Sequence, residues 1–310
     1  MGERAGAFSP AGISSFFEVC DTTADGKPIV DLVKVGARGG GFALELGVLT
    51  EVSTVESRKN SIHVFINGKP APEARTTMTV VKMLLEKCPK TYNVIVRHKV
   101  AVPIGAGFGT SAGGALSTAL ALSKLLKVNL TMLQIGQSAH IAEIKNRTGL
   151  GTVGPLTLGG CCITVEPGAP GYSLIDRLPT MPSHRMVTAF HKPILTRKVL
   201  ASPNVRKRIN KAGHQTLERI LSNPSLQNFL AASKEFAIET GFASKTVLKL
   251  FEAAEKADAI GVAQNMVGEA VHALTTADEA KRLAEAFKRI LPSKNILIAK
   301  IDAQGARLLR

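Results

Sequence analysis

The stretch Pro103-Ile-Gly105-Ala106-Gly107-Phe108-Gly109-Thr110-Ser111-Ala112-Gly113-Gly114 decides how this chain is read. Three glycines stand on alternate positions and are followed by Thr-Ser. Upstream, Tyr92–Val100 carries Val94, Val96, His98 and Val100 at a spacing of two, which predicts a half-buried strand. Downstream, Ser111 to Leu126 predicts a long helix. Glycines between a strand and a helix let backbone N–H groups converge on one point, because no Cβ blocks the approach. Such a turn at a helix start binds phosphate. The helix dipole contributes only about 0.3–1 kcal/mol, so directed N–H bonds to charged oxygens must supply the rest. The turn is not a Walker A loop, because no Lys follows the glycines. It is not the dinucleotide fingerprint either, since Thr110 occupies the place of the last small residue. On the residues alone, a purely structural glycine turn stays open.

Outward from this turn, the first 180 residues mix strands and helices. Strands are expected over Ile29–Val35, Ala43–Leu49 and Ser61–Ile66, with Asn67-Gly68 as a tight turn. Thr77–Leu85 reads as a helix, and a second long helix runs from about Thr131 to Arg147. Gly149-Leu150-Gly151 ends it, and an apolar, glycine-rich strand region continues to Val165. Proline and glycine cluster at Pro167–Gly171 and Pro179–Pro182, so a domain boundary is set near residue 180. Residues 181–310 then read as one strand (Met186–His191), mostly helix through Ile290, and two short strands (Ile296–Ile301 and Ala306–Leu309). The expected fold class is α+β, with domains 1–180 and 181–310.

The 310 residues are 45% hydrophobic and 20% charged, which excludes disorder as the main state. No apolar run approaches the roughly 18 residues that span a bilayer, and Met1-Gly2-Glu3-Arg4 opens no signal-peptide core. The expectation is a cytoplasmic protein without membrane attachment. Cys20, Cys88, Cys161 and Cys162 form no CxxC pair and read as thiols in a reducing compartment. The net charge of +15 implies attraction to anions. Residues 181–310 hold 21 basic and 11 acidic side chains, densest at Arg206-Lys207-Arg208 and Lys211. With no Trp and two Tyr, the aromatic surface for stacking bases is poor, and nucleic acid is not expected.

Pro103-x-x-x-Gly107-Phe108-Gly109-Thr110-Ser111-Ala112 resembles the phosphate loop of the GHMP kinase superfamily. Ser9-Pro10-Ala-Gly12-Ile-Ser14 is similar to the early motif where the first strand meets substrate. Glu143, followed by Gly149-Leu-Gly151 and Gly159-Gly160, resembles the superfamily's metal-binding region. Arg38-Gly39-Gly40-Gly41, His140-Ile-Ala-Glu143, Arg147-Thr-Gly-Leu-Gly151 and Ile301-Asp-Ala-Gln-Gly305-Ala-Arg307 extend the likeness toward the archaeal pantoate kinases.

The resemblance implies a ribosomal-protein-S5-domain-2-like N-terminal domain and a ferredoxin-like C-terminal domain. It implies ATP over Pro103, Gly105, Ala106, Gly107, Phe108, Gly109, Thr110, Ser111, Ala112 and Gly113. Mg²⁺ would be held by Ser111 and Glu143, two hard oxygen donors. Pantoate, the small-molecule partner, would meet Ser14, Ser15, Arg38, His140 and Arg147, with transfer to its 4-hydroxyl. Ser111 also suits a helix N-cap. Many superfamily members carry an Asp base in the segment after the metal Glu, and here Thr152 stands in that place. A threonine is no base at neutral pH, so another hydroxy acid (homoserine, shikimate, mevalonate) or nucleotide binding without transfer stays open. A homodimer also stays open. Gln264–Glu269 reads either as an ordinary helix or as a segment packed on the active site.

Overall fold

A computed structural model describes residues 2–193 and 203–309. Two long antiparallel strands open the chain, β1 (Glu3–Cys20) and β2 (Gly36–Glu56). They are followed by β3 (Ser61–Ile66), β4 (Lys69–Pro70), α1 (Arg75–Leu85) and β5 (Tyr92–Val100). Next come α2 (Thr110–Leu125), α3 (Met132–Asn146), α4 (Val153–Leu158), β6 (Cys161–Glu166) and β7 (Leu174–Leu178). The strand order of this first sheet is β12-β1-β2-β5-β3-β4, with β6 between β2 and β7; β12 is Arg307–Leu308. Asn67 and Gly68 both have positive φ (49° and 81°), the turn that matches the twist of the β3–β4 hairpin.

The second sheet has the order β11-β8-β10-β9, all antiparallel: β8 (His184–Pro193), β9 (Gly261–Gln264), β10 (Gly268–Thr276) and β11 (Ile296–Lys300). Helices α5 (Pro203–Ser222), α6 (Leu226–Glu239) and α7 (Lys245–Lys256) connect β8 to β9, and α8 (Ala280–Lys288) connects β10 to β11. Numbered within this unit, the order is fourth-first-third-second, which is the ferredoxin-like arrangement.

Three expectations need correction. Ile29–Val35 is not a strand: Pro28 precedes it without an N–H, the Asp31 carboxylate accepts from Val33 N, and Val30 is 90% exposed. The helix expected through Ile290 is broken by β9 and β10. Strand β10 lies between β8 and β9 and is buried on both faces, so its apolar run lacks the alternation that marks a half-exposed strand. The last short strand leaves the second sheet altogether, because β12 pairs with β1 through Ala7–Leu308 and Phe8–Arg307. Residues 194–202, within the stretch expected to be mostly helix, lie outside the described residues.

Two cores position the site. One packs α1, α2 and α3 on the first sheet through Val80, Leu84, Leu116, Leu122, Ala139 and Val96. The other joins both sheets, with Phe42 meeting Phe229 edge-on at 5.5 Å and Phe16 meeting Phe229 at 5.8 Å.

Candidate active site

The glycine turn alternates in burial as well as in sequence. Ala106 and Phe108 are buried at 2% and 1% exposure and belong to the core shared by the two sheets. Gly105, Gly107 and Gly109 have φ of 78°, 78° and 58°, a left-handed conformation that costs other residues about 1–2 kcal/mol. The apolar residues thus hold the loop down while the glycines turn backbone N–H groups outward, a ready anion nest. Gly12 N donates to Phe108 O at 3.1 Å, so β1 fixes the loop from below. Gly109, not Ser111, is the N-cap of α2, and this frees the Ser111 hydroxyl from capping.

That hydroxyl donates to Glu143 Oε1 at 2.6 Å, and Thr148 Oγ1 donates to the same oxygen at 2.5 Å. Glu143 is 3% exposed, so it is not a solvated helix residue. Burial pushes its carboxyl up from the ordinary value, and the two hydroxyl bonds pull it partly back. Among the described residues Glu143 has no basic partner. A buried carboxylate beside a hydroxyl fits a hard cation, which would supply the missing charge. No group of three or more His, Cys, Asp or Glu surrounds it among the described residues, so such an ion would keep water and phosphate ligands. A Cβ on Gly149 would overlap Glu143 Oε2 and push the carboxylate from this position.

These groups line a cavity of about 900 Å³ between the glycine turn, β1, β2 and the segment 143–156. Ser14, Arg38, Arg147 and Thr152 line it too, as do Gly105, Gly107, Phe108, Gly109, Thr110 and Ala112. Pro103, Ala106 and Gly113 do not line it; Gly113 lets α2 close on β2 at Val48. Ser15 and His140 do not line the cavity either. Ser15 is fully buried and donates to His272 Nε2 at 2.8 Å, while the His272 Nδ1–H donates to Asn265 Oδ1 at 2.9 Å. His140 is 1% exposed and its Nε2–H donates to Val35 O at 2.8 Å, so it braces the loop before β2 rather than facing the cavity.

The three cavity arginines differ. Arg38 is tied to Glu18 (3.4 Å), Glu166 (3.7 Å) and Val165 O (3.1 Å). Arg206 is paired with Asp21. Arg147 has no ion pair among the described residues and caps α3 at φ 54°, a position that normally takes glycine or asparagine. Thr152 has its methyl against Gly12 and Gly109, where any Cβ would crowd it at 2.9 Å. It lies beside the glycine turn, between β1 and the start of α2.

The sequence reading missed Thr76 and Thr148, and it left open, as an ordinary helix or a segment packed on the active site, the stretch that holds Met266 and Val267. The last two reach the cavity from the β9–β10 connection, where Met266 N donates to Ser14 O at 2.7 Å. Gln264–Glu269 is therefore a strand–turn–strand segment packed on the site, and a Cβ on Gly107 would lie 3.0 Å from Asn265 Cβ. Among the described residues no helix is long and apolar enough to cross a membrane.

Residues 75–160 match the family of GHMP kinases N terminal domains. A curated pantoate kinase of Thermococcus kodakarensis is 32% identical over 298 residues, covering 94% of this chain and 92% of that protein. The pantoate kinase of Methanocaldococcus jannaschii is 27% identical, covering 84% and 89%. A solved structure described as a phosphotransferase related to the CoA biosynthesis pathway superposes with a TM-score of 0.86 at 29% identity, covering 99% of both chains. With the glycine turn, the buried Ser111–Glu143 pair and this likeness along nearly its full length, the chain belongs to the GHMP kinase superfamily, in its pantoate kinase family.

Proposed function

We propose that this chain transfers the γ-phosphate of ATP to the 4-hydroxyl of (R)-pantoate, giving 4-phosphopantoate for coenzyme A synthesis. The observation that carries the reading is the buried Ser111–Glu143 contact beside a left-handed glycine nest. The pantoate kinases among the relatives supply the acceptor. In this reading residues 1–180 carry the phosphate loop, and residues 181–310 supply the wall at Met266 and Val267. The compartment proposed is the cytoplasm, supported by four free thiols.

The loop amides hold the phosphates, and Ser111 with Glu143 holds Mg²⁺. Held by these two residues, the cation would supply charge neutralisation for the phosphate oxygens. Arg147, unpaired among the described residues, takes the acceptor carboxylate. Ile13, Leu150, Met266 and Val267 face its branched carbon skeleton. The acceptor hydroxyl oxygen attacks the γ-phosphorus, the bond to the ADP oxygen breaks, and the hydroxyl proton passes to water. Among the described lining residues no His, Lys or free carboxylate stands to take that proton. The two lining carboxylates are Asp21, paired with Arg206, and Glu143, held by hydroxyls. A missing base costs roughly 10²–10⁴ in rate, and alignment of two bound reactants supplies about 7–11 kcal/mol. Alignment is the larger effect, so Thr152 in place of an acid is compatible with transfer.

The test is an ATP-coupled assay on purified protein with pantoate, homoserine, shikimate and mevalonate. Pantoate is expected to give the highest kcat/KM, and Ser111→Ala and Glu143→Ala are each expected to nearly abolish it. Faster turnover of another acceptor overturns the substrate; full activity in both variants overturns the metal pair.

A further inference from the structure

Glu143 is held by more than its metal-pair partner. Its Oε1 accepts two hydroxyl protons, from Ser111 at 2.6 Å and Thr148 at 2.5 Å. Thr76 closes the figure: its Oγ1 lies 2.9 Å from Thr148 Oγ1 and 3.3 Å from Ser111 Oγ. The four oxygens form a ring built from the first turn of α1, the start of α2, and α3 with the residue after its cap. Each hydroxyl has one proton. Those of Ser111 and Thr148 point at Oε1, so the Thr76 proton goes to Thr148 Oγ1 at the shorter distance. Thr148 is thereby fixed as a donor to Glu143. The other carboxylate oxygen, Oε2, accepts no hydrogen bond among the described residues and lies against Gly149 on the cavity wall.

We propose that Thr76 and Thr148 are positioning residues for the metal ligands. They commit Glu143 Oε1 to the protein and leave Oε2, with a lone pair of Ser111 Oγ, turned toward Mg²⁺. The inference rests on reading Ser111 and Glu143 as the metal pair. A carboxylate without this ring rotates about its last bond and presents either oxygen, which weakens a site that has only two protein ligands. Groups that orient metal ligands in this way are typically worth about 10–100-fold in metal affinity.

The test reads metal binding without turnover. Mn²⁺ is titrated into the protein holding a non-hydrolysable ATP analogue, and bound metal is followed by electron paramagnetic resonance. Thr76→Val and Thr148→Val keep the shape and remove the hydroxyl. Each is expected to raise the Mn²⁺ dissociation constant by about 10–100-fold, with pantoate affinity unchanged. Thr76→Ser and Thr148→Ser, which restore the hydroxyl, are expected to bind Mn²⁺ like the parent protein. Unchanged affinity in the Val variants, with Glu143→Gln weakened, overturns the positioning role and leaves the metal pair standing. Weak binding in the Ser variants also overturns it, because packing would then be the cause. Unchanged affinity in Glu143→Gln overturns the metal reading and this inference with it.

Discussion

Glu143 Oε2 lies so near Gly149 that one added methyl group would displace it. A Cβ at residue 149 would overlap the carboxylate oxygen, so Gly149→Ala is expected to rotate Glu143 away and weaken Mn²⁺ binding about tenfold or more. The same titration measures it, with a melting curve to show that the fold persists. Arg147 offers a second test, because its left-handed cap costs about 1 kcal/mol that glycine would not incur. Arg147→Ala is expected to raise the KM for pantoate about 10–100-fold, as loss of a charged hydrogen bond does, while the KM for ATP changes little. Steady-state kinetics with each substrate varied separates the two. Ser111 and Glu143 were legible because they sit in patterned motifs. Thr76 and Thr148 were not, since a lone threonine carries no local signal. Ser14 and Ser15 were indistinguishable in sequence. The register break between Ser14 and Phe16 decides that Ser14 faces the cavity and Ser15 faces His272.

Helix α3 shows how an element's ends serve the site. Thr131 and Gln134 form a reciprocal capping box at its start, and Glu143 lies one turn from its other end. Thr131→Ala is expected to lower unfolding free energy by about 1 kcal/mol in urea titration, with kcat unchanged, because the cap is remote from the carboxylate. Helix α2 was legible for length but not for environment. It is buried from Ala112 through Ser123, and its alanines and glycines let β1, β2 and α3 close around it. Strand β10 was read as helix because both of its faces are covered. Periodicity reports a boundary between core and water, and where an element has no wet face that boundary is absent.

Across the whole molecule, three buried histidines couple folding to pH. Burial lowers His98 to about 4 and His272 to about 3, and it lowers His140 as well. Their folded-state values lie below the ordinary 6.5, so between pH 6.5 and about 4 the unfolded chain binds protons that the folded chain does not. Stability is full above that window and falls through it by roughly 1.4 kcal/mol per pH unit for each of His98 and His272, and His140 acts in the same direction. Glu143, raised by burial, opposes this only between its own two values. The melting temperature is expected to fall between pH 7 and pH 5, with proton uptake on unfolding at pH 5. A flat melting temperature with no uptake contradicts it. The charge of +15 is also clarified at this scale. Arg206 of the basic run reaches the cavity, yet it is paired with Asp21, so among the described residues Arg147 is the one cavity cation without an ion pair. By itself, the amino-acid sequence determined the strand–glycine turn–helix unit, the residues proposed as the metal pair and the family, because each depends on residues close in the chain or on recurring local patterns. Only the tertiary structure decided that β12 returns to β1, that Met266 and Val267 wall the cavity, and which of Ser14, Ser15, Arg38, His140 and Arg147 face it unpaired. Those facts depend on contacts between residues far apart in the chain, and on which face of an element the core has already taken.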